Sequence, residues 1–281
     1  MNILVTGGSG FVGKNLLEAL PSSSKIIAIS RKKRNFNNKK NIKYLKCSLK
    51  LNKSSFEKIK KFRPRAVVHM AWGGIPDYSK KNSSKNLKDQ IFFFKKILLI
   101  DSIKKIIVTG SCSEKKGKYQ LTSKYFVNSK KALNIFLKKK CKEIDIKLIW
   151  LRLFFLFGKY QKKNSLISYL ISNIKKNKAI LIKKPNAIVD YINIKSVCEI
   201  IKMLLFNYNR SFEGDIGSGS GYKISEIAKL LQNFKKNIYY KNKLKRYKKN
   251  VFRANLNNTL FSKIKINSIE KNLRNTFKNY K

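Results

Sequence analysis

Between Thr6 and Gly13 the chain reads TGGSGFVG, which places Thr6, Gly7, Gly10 and Gly13 in the spacing T-G-x-x-G-x-x-G. The segment follows a short apolar run and opens a stretch with helical periodicity. Glycine permits a tight turn and lets a backbone approach a diphosphate, while the helix behind it offers N–H groups and a positive dipole end. That is chemistry for holding a dinucleotide. The chain has 13 glycines and four fall between positions 7 and 13, so the cluster is not a product of composition.

The elements that must carry these residues are legible as an alternation. NILVTG, KIIAIS, AVVHMAW, KIIVTGS and KLIWLRLF are short apolar runs. FVGKNLLEAL, NLKDQIFFFKKILLIDSI and the segment around 124–140 have helical spacing. Nearly unbroken apolar strands separated by helices predict a parallel sheet covered on both faces. The fold class is therefore α/β, a doubly wound Rossmann-like sheet over residues 1–155. From 156 to 281 a smaller C-terminal part is predicted, with residues 188–212 returning to the sheet. It reads as a helix at SLISYLISNI, a short strand at VDYINI, helices at KSVCEIIKMLLF and ISEIAKLL, the turn DIGSGSG, and a Lys/Asn-rich tail.

Lys and Arg number 65 against 14 Asp and Glu, a formal charge of +51. Lys, Asn and Ile are abundant from end to end, as a compositional bias produces, whereas a polyanion-binding face gathers its cations. The pattern argues against nucleic acid as a partner. Cys47, Cys112, Cys141 and Cys198 lack metal-ligand spacing, so no metal site is expected and a reducing, cytoplasmic setting is. The sequence runs straight into a strand and glycine loop, as expected of a chain without a signal peptide. The longest apolar stretch, LIWLRLFFLFG, contains Arg152 and is too short to span a bilayer.

The glycine spacing resembles that of the short-chain dehydrogenase/reductase superfamily. The length and second half resemble its extended branch, the NAD-dependent epimerases and dehydratases of nucleotide sugars. VVHMAW (67–72) is similar to that family's H-x-A-A strand, and WLRLFFLFGKYQKKNSLI (150–167) to its L-R-x-F-x-x-Y-G-x-x-Q segment. VDYINIKSV is similar to R-D-Y-x-x-V-x-D-V, and DIGSG (215–219) to N-I-G-S-G. The resemblance implies a cofactor bound along Gly7, Gly10, Phe11, Val12, Gly13, Ser30, Arg31, Met70, Ala71, Trp72 and Lys130. It also implies a nucleoside diphosphate-sugar substrate, a diphosphate clamp at Arg246 or Arg253, and an assembly in which a homodimer is left open.

TGSCSEKKG resembles the subgroup's G-[ST]-C-x-E-Y-G, which implies Ser111 as the hydroxyl that meets the substrate oxygen. NSKKAL resembles the core of the catalytic helix, which implies Lys130 as the lysine that holds the nicotinamide ribose and lowers a tyrosine's pKa. A turn serine and a solvated lysine are the plainer alternatives. The tyrosine departs from the pattern: the residue four before Lys130 is Phe126, and Tyr125 stands five before. Positions five apart on a helix differ by about 140°. Tyr125 meets Lys130 if the helix starts after it or a bulge resets the phase. Tyr119, on the loop before, is a second candidate acid. Three outcomes stand open: a tyrosine acid, chemistry without this tyrosine, or a catalytically impaired NADP-binding sensor or scaffold. His69, the sole histidine, reads as a buried structural residue.

The second strand ends at Ser30-Arg31 without the acidic residue that accepts ribose hydroxyls in NAD-selective sites. Arginine offers a fork to a 2′-phosphate, so NADP is the expected cofactor, with NAD as the alternative. The expected function is an NAD(P)-dependent nucleotide-sugar oxidoreductase or epimerase. Within it, the resemblance points to a 4-ketoreductase or 4-dehydrogenase of a 6-deoxysugar nucleotide in surface-polysaccharide biosynthesis.

Overall fold

The computed structural model of the chain describes residues 1–31, 39–115, 122–235, 251–255 and 267–280. The chain divides into two compact units, Met1–Arg152 with Ile201–Gly214, and Leu153–Ile200 with Asp215–Lys281. In chain order the strands are β1 (Asn2–Thr6), β2 (Lys25–Ser30), β3 (Ile42–Lys46), β4 (Ala66–His69), β5 (Lys105–Ser111), β6 (Lys147–Leu153), β7 (Phe155–Phe157), β8 (Ile188–Val189), β9 (Tyr191–Asn193), β10 (Phe212–Ile216), β11 (Tyr222–Lys223) and β12 (Val251–Phe252). The helices are α1 (Phe11–Ala19), α2 (Lys53–Phe62), α3 (Lys80–Ile97), α4 (Lys124–Glu143), α5 (Leu166–Lys175), α6 (Ile194–Asn207), α7 (Ile224–Gln232) and α8 (Ile269–Lys278).

The central sheet has seven strands in the order β10-β6-β5-β4-β1-β2-β3, with β1 paired in parallel to both β2 and β4. This is the doubly wound arrangement that the apolar strand runs predict. The strand order reverses at β1 and β4, and crevices at such switch points hold ligands in open α/β sheets. Register places Thr6 opposite both Ile29 and His69, and His69 opposite Val108. The chain therefore leaves β1, β2, β4 and β5 along one edge, where the predicted cofactor positions from Gly7 to Trp72 lie.

The sheet is buried because its strands are aliphatic on both faces: Ile3, Leu4, Val67, Ile106 and Val108 are fully enclosed. Phe93 and Phe94 of α3, Leu133 and Leu137 of α4, and Trp150 of β6 complete that core. Helix α3 begins at Lys80, six residues before the predicted start, where Ser79 Oγ accepts the Asn82 N–H. Its inward face carries the buried Ser83, Asn86 and Gln90. A polar inward face has no apolar periodicity, which hid the first turns from the sequence.

In the second unit β7 pairs with β9, and β8 pairs with β11 and β12. Residues 188–200 therefore lie in this unit, and the chain re-enters the first unit from Ile201, with β10 as an outer strand of the central sheet. Phe157, Leu170, Ile171, Ile227, Leu231 and Leu273 form the second core. Leu273 belongs to α8, a helix inside the segment that reads as a polar tail. Among the described residues no helix is long and apolar enough to cross a membrane.

Candidate dinucleotide and proton-transfer site

The glycine loop is shaped by what a side chain would strike. Gly7 has φ +71°, and a Cβ there would lie 2.9 Å from Ala71 N, so the loop is pressed against the residues after β4. At Gly13 a Cβ would fall 2.2 Å from the Gly7 carbonyl oxygen. At Gly10 it would meet that same oxygen at 3.1 Å and nothing else within van der Waals range. Gly7 and Gly13 thus serve the packing of the loop, while Gly10 faces open space. Gly10 also stands at the N-cap of α1, where no side chain caps the helix. An uncapped helix N-terminus behind an open glycine fits a diphosphate. Phe11 and Val12 form the first turn, both half-buried.

At the end of β2, Ser30 is buried and Arg31 is exposed. Arg31 Nη1 lies 3.9 Å from where a Gly73 Cβ would be, so the guanidinium reaches toward the loop after β4. Beneath that loop the Thr6 hydroxyl pairs with His69 Nδ1 at 2.9 Å, and His69 Nε2 donates to Gln90 Oε1. Gln90 Nε2 in turn donates to the Ala71 carbonyl at 2.8 Å. His69 is 2% exposed. Burial, and then the charge of Lys130, push its imidazole down to about 3. It is a neutral strut that fixes the Met70–Trp72 turn, in the structural role its sequence context suggests.

Ser111 ends β5 and caps a single 3-10 turn, Cys112–Glu114. Its Oγ accepts the Ser113 N–H at 3.2 Å, which occupies a lone pair and leaves the hydroxyl proton to donate. Glu114 closes the turn from below. One of its oxygens accepts the Ser111 N–H at 2.5 Å and the other the Trp150 indole N–H at 2.9 Å. Burial raises this carboxyl's pKa, against the pull of Lys130. Nothing in the motifs around Ser111 and Lys130 gives Glu114 a role. The available signal was scarcity: an acid kept in a chain with 14 acidic residues against 65 basic ones.

Lys130 is 5% exposed, far from the solvated state of an ordinary lysine. Its ammonium donates to the Thr109 carbonyl at 2.8 Å and lies 4.2 Å from the centre of the Trp72 ring. Burial lowers it to about 8, with the Glu114 charge opposing. The structure therefore brings Ser111, Lys130 and Trp72 to the edge that also carries the glycine loop.

Tyr125 does not join them. Helix α4 already includes Lys124, and Ser123 Oγ accepts the Phe126 N–H at 3.3 Å as its cap. The helix neither starts after Tyr125 nor resets its phase. Tyr125 is 39% exposed, while Phe126 is 4% exposed and shares the inward face with Lys130. Phe126 packs edge-on against Trp72 at 5.4 Å and Tyr78 at 5.0 Å. The expectation that irregular backbone would deliver Tyr125 is corrected by this regular, well-capped helix. Tyr119 and Arg246 lie outside the described residues. Arg253, in the second unit, is exposed and its Nε donates to the Gly219 carbonyl. In the same unit the buried Asp190 accepts N–H groups of Ser218, Gly219 and Ala254 at 2.7, 2.9 and 3.0 Å, which fixes the GSG turn.

A Rossmann sheet, an open glycine at an uncapped helix and a buried lysine at the switch-point edge are the parts of a doubly wound α/β protein with a candidate nucleotide site. The chain belongs to the NAD-dependent epimerase/dehydratase family, whose sequence pattern matches residues 3–217. It is 27% identical over 248 residues to the CDP-abequose synthase of Salmonella typhimurium, a match covering 82% of this chain and 80% of that protein. Among solved structures it is similar to the UDP-glucose 4-epimerase of Thermotoga maritima, with a TM-score of 0.81 at 19% identity over 99% of this chain and 98% of that one. The dTDP-glucose 4,6-dehydratase of Bacillus anthracis, solved in complex with NAD, gives 0.79 at 19% identity over 99% and 96%. At such identities the structural likeness speaks for the fold.

Proposed function

We propose that this protein is an NADP-dependent oxidoreductase that reduces the 4-keto group of a 6-deoxysugar held as its nucleoside diphosphate, within surface-polysaccharide biosynthesis. The observation that carries the reading is the burial of Lys130 against the Thr109 carbonyl and the Trp72 ring, on the sheet edge that carries the glycine loop. A lysine desolvated to this degree in a chain full of solvated lysines has a purpose at that place. The CDP-abequose synthase relative supports a sugar nucleotide as the substrate class.

Gly7, Gly10 and the N-terminus of α1 would hold the diphosphate, Arg31 the adenosine ribose with its 2′-phosphate, and Lys130 the nicotinamide ribose. Bound there, a reduced nicotinamide dinucleotide supplies the hydride. Ser111 orients the ketone oxygen through the hydroxyl proton that its own hydrogen bond leaves available. Glu114 fixes the turn that carries Ser111 and keeps the ammonium of Lys130 charged.

A second reading, a protein that binds cofactor without turnover, is favoured by Phe126 at the inward position where the family carries tyrosine. Oxidation of NADPH and of NADH against a panel of 4-keto-6-deoxy nucleotide sugars separates the two. Turnover on a member of the panel supports the reductase. Tight cofactor binding with no turnover on any member overturns it in favour of the binding protein.

A further inference from the structure

We propose that Tyr78, on the loop between β4 and α3, supplies the phenol that the inward face of α4 lacks and donates the proton to the ketone oxygen. The substrate in this inference rests on the reductase reading above; the residue rests on geometry. Phe126 fills the inward position one turn before Lys130, and the Tyr78 ring packs against it at 5.0 Å between centroids. Trp72 packs against the same phenylalanine at 5.4 Å and carries the Lys130 ammonium at 4.2 Å. Tyr78, Phe126, Trp72 and Lys130 thus form one contiguous cluster. Burial first, and then the thiol of Cys112, the residue after Ser111, push the Tyr78 phenol up from the usual range. Tyr78 is thus joined to Lys130 of α4 through Phe126 and Trp72, and its electrostatic neighbour Cys112 adjoins Ser111.

The loop that carries Tyr78 is pinned at several points. The Ser123 hydroxyl, which caps α4, donates to the Tyr78 carbonyl. Asn82 Nδ2 donates to the carbonyls of Asp77 at 2.6 Å and Gly73 at 3.2 Å. Asn86 accepts the Gly73 N–H at 2.7 Å and donates back to the Gly73 carbonyl at 3.1 Å. The Ser79 N–H donates to Asp77 Oδ1 at 2.9 Å. A side chain on so constrained a loop keeps the fixed position that an acid needs. Tyr78 is half-buried, shielded enough to act in a dry site and open enough to regain its proton from water.

The ketone carbon gains a hydride from the reduced nicotinamide dinucleotide, which is oxidised. The carbonyl π bond breaks, the Tyr78 O–H bond breaks, and its proton forms the new alcohol O–H. Water then reprotonates the phenolate.

Tyr78→Phe and the double variant Tyr78→Phe/Phe126→Tyr test this. In Tyr78→Phe, kcat should fall about 10²–10⁴-fold while KM and the Kd for NADPH stay within about threefold, the pattern of a lost acid in an intact site. The double variant, with a phenol restored one turn before Lys130, should regain about tenfold or more of that loss. A second readout needs no turnover: nitration by tetranitromethane, mapped by mass spectrometry with and without NADPH plus a nucleoside diphosphate-sugar. The ligands should shield Tyr78 and leave the exposed Tyr125 nitrated as before. Full turnover in Tyr78→Phe beside an active wild type overturns this inference alone, as does nitration of Tyr78 that ligands leave unchanged. A wild type inert on every ketosugar overturns both this inference and the reductase reading.

Discussion

The Lys130 ammonium and the Trp72 indole are in face contact, 4.2 Å from nitrogen to ring centre. A desolvated contact of this kind is worth about 2 kcal/mol. It gives the lysine a third partner besides the Thr109 carbonyl and the Glu114 charge. It also ties a tryptophan to the residue expected to meet the nicotinamide ribose.

That tie makes Trp72 a reporter. The chain has two tryptophans, and the other, Trp150, is fully buried and bonded to Glu114. Titrating NADPH should change the intrinsic fluorescence through Trp72. Trp72→Phe should lose most of that change while still folding. An undiminished change in the variant would place the cofactor away from Lys130.

Gly10 and Gly13 separate binding from folding. Gly13→Ala drives a Cβ to 2.2 Å from a backbone oxygen and should unfold or strongly destabilise the first unit, seen as a large drop in Tm. Gly10→Val adds its bulk to open space, so Tm should hold within a few degrees. Calorimetry should show NADPH affinity lost in Gly10→Val by about a hundredfold or more, since the branched side chain occupies the diphosphate's approach. Unchanged affinity there would remove the glycine loop from cofactor binding.

Arg31→Ala tests the 2′-phosphate. A charge-assisted contact to phosphate contributes about 1.5–3 kcal/mol, so NADPH should weaken about ten- to a hundredfold. NADH should change little. Equal losses for both cofactors would show that Arg31 does not read the 2′-phosphate.

Lys130 sets a pH dependence that can be signed. Folded, it releases its proton near pH 8; unfolded, near about 10.4. Between these values the unfolded chain holds the extra proton, so the lysine's contribution to stability rises with pH across that window. Subtracting the Tm profile of Lys130→Met from that of the wild type should isolate this rise. Catalysis should move the opposite way, falling above about pH 8 as the ammonium is lost. Glu114→Gln, which removes the charge that holds the proton on Lys130, should shift that alkaline limb to lower pH. A limb that stays in place in Glu114→Gln would sever the coupling.

The sheet was legible because its strands are nearly pure aliphatic runs, and the glycine loop because glycine is rare in this chain. Ser111 and Lys130 were singled out through flanking motifs rather than their own chemistry, and their burial and contacts come from the fold. Helix phase at 125–130 follows from the 3.6-residue turn: Phe126, not Tyr125, shares the inward face with Lys130. The escape through irregular backbone failed on Ser123, a good N-cap that starts the helix one residue before Tyr125. Tyr78 escaped notice because a loop residue 52 positions from Lys130 carries no periodicity, and its contacts arise from the fold. Helix α8 hid in a Lys/Asn-rich segment because it buries little beyond Asn272 and Leu273.

His69 is the chain's one histidine, and it bridges β1, β4 and α3 through Thr6 and Gln90. Its ring C–H protons therefore form the chain's single imidazole spin system, which selective 13C/15N-histidine labelling isolates from the rings of Phe, Tyr and Trp. With the imidazole pushed down to about 3, that signal should stay unshifted through the range where an ordinary histidine titrates. It should move when the strands beneath the glycine loop part, and acid should part them as protons taken up by the unfolded chain draw the equilibrium over. One proton resonance then serves as a strain gauge for the floor of the nucleotide site, readable without cofactor or substrate.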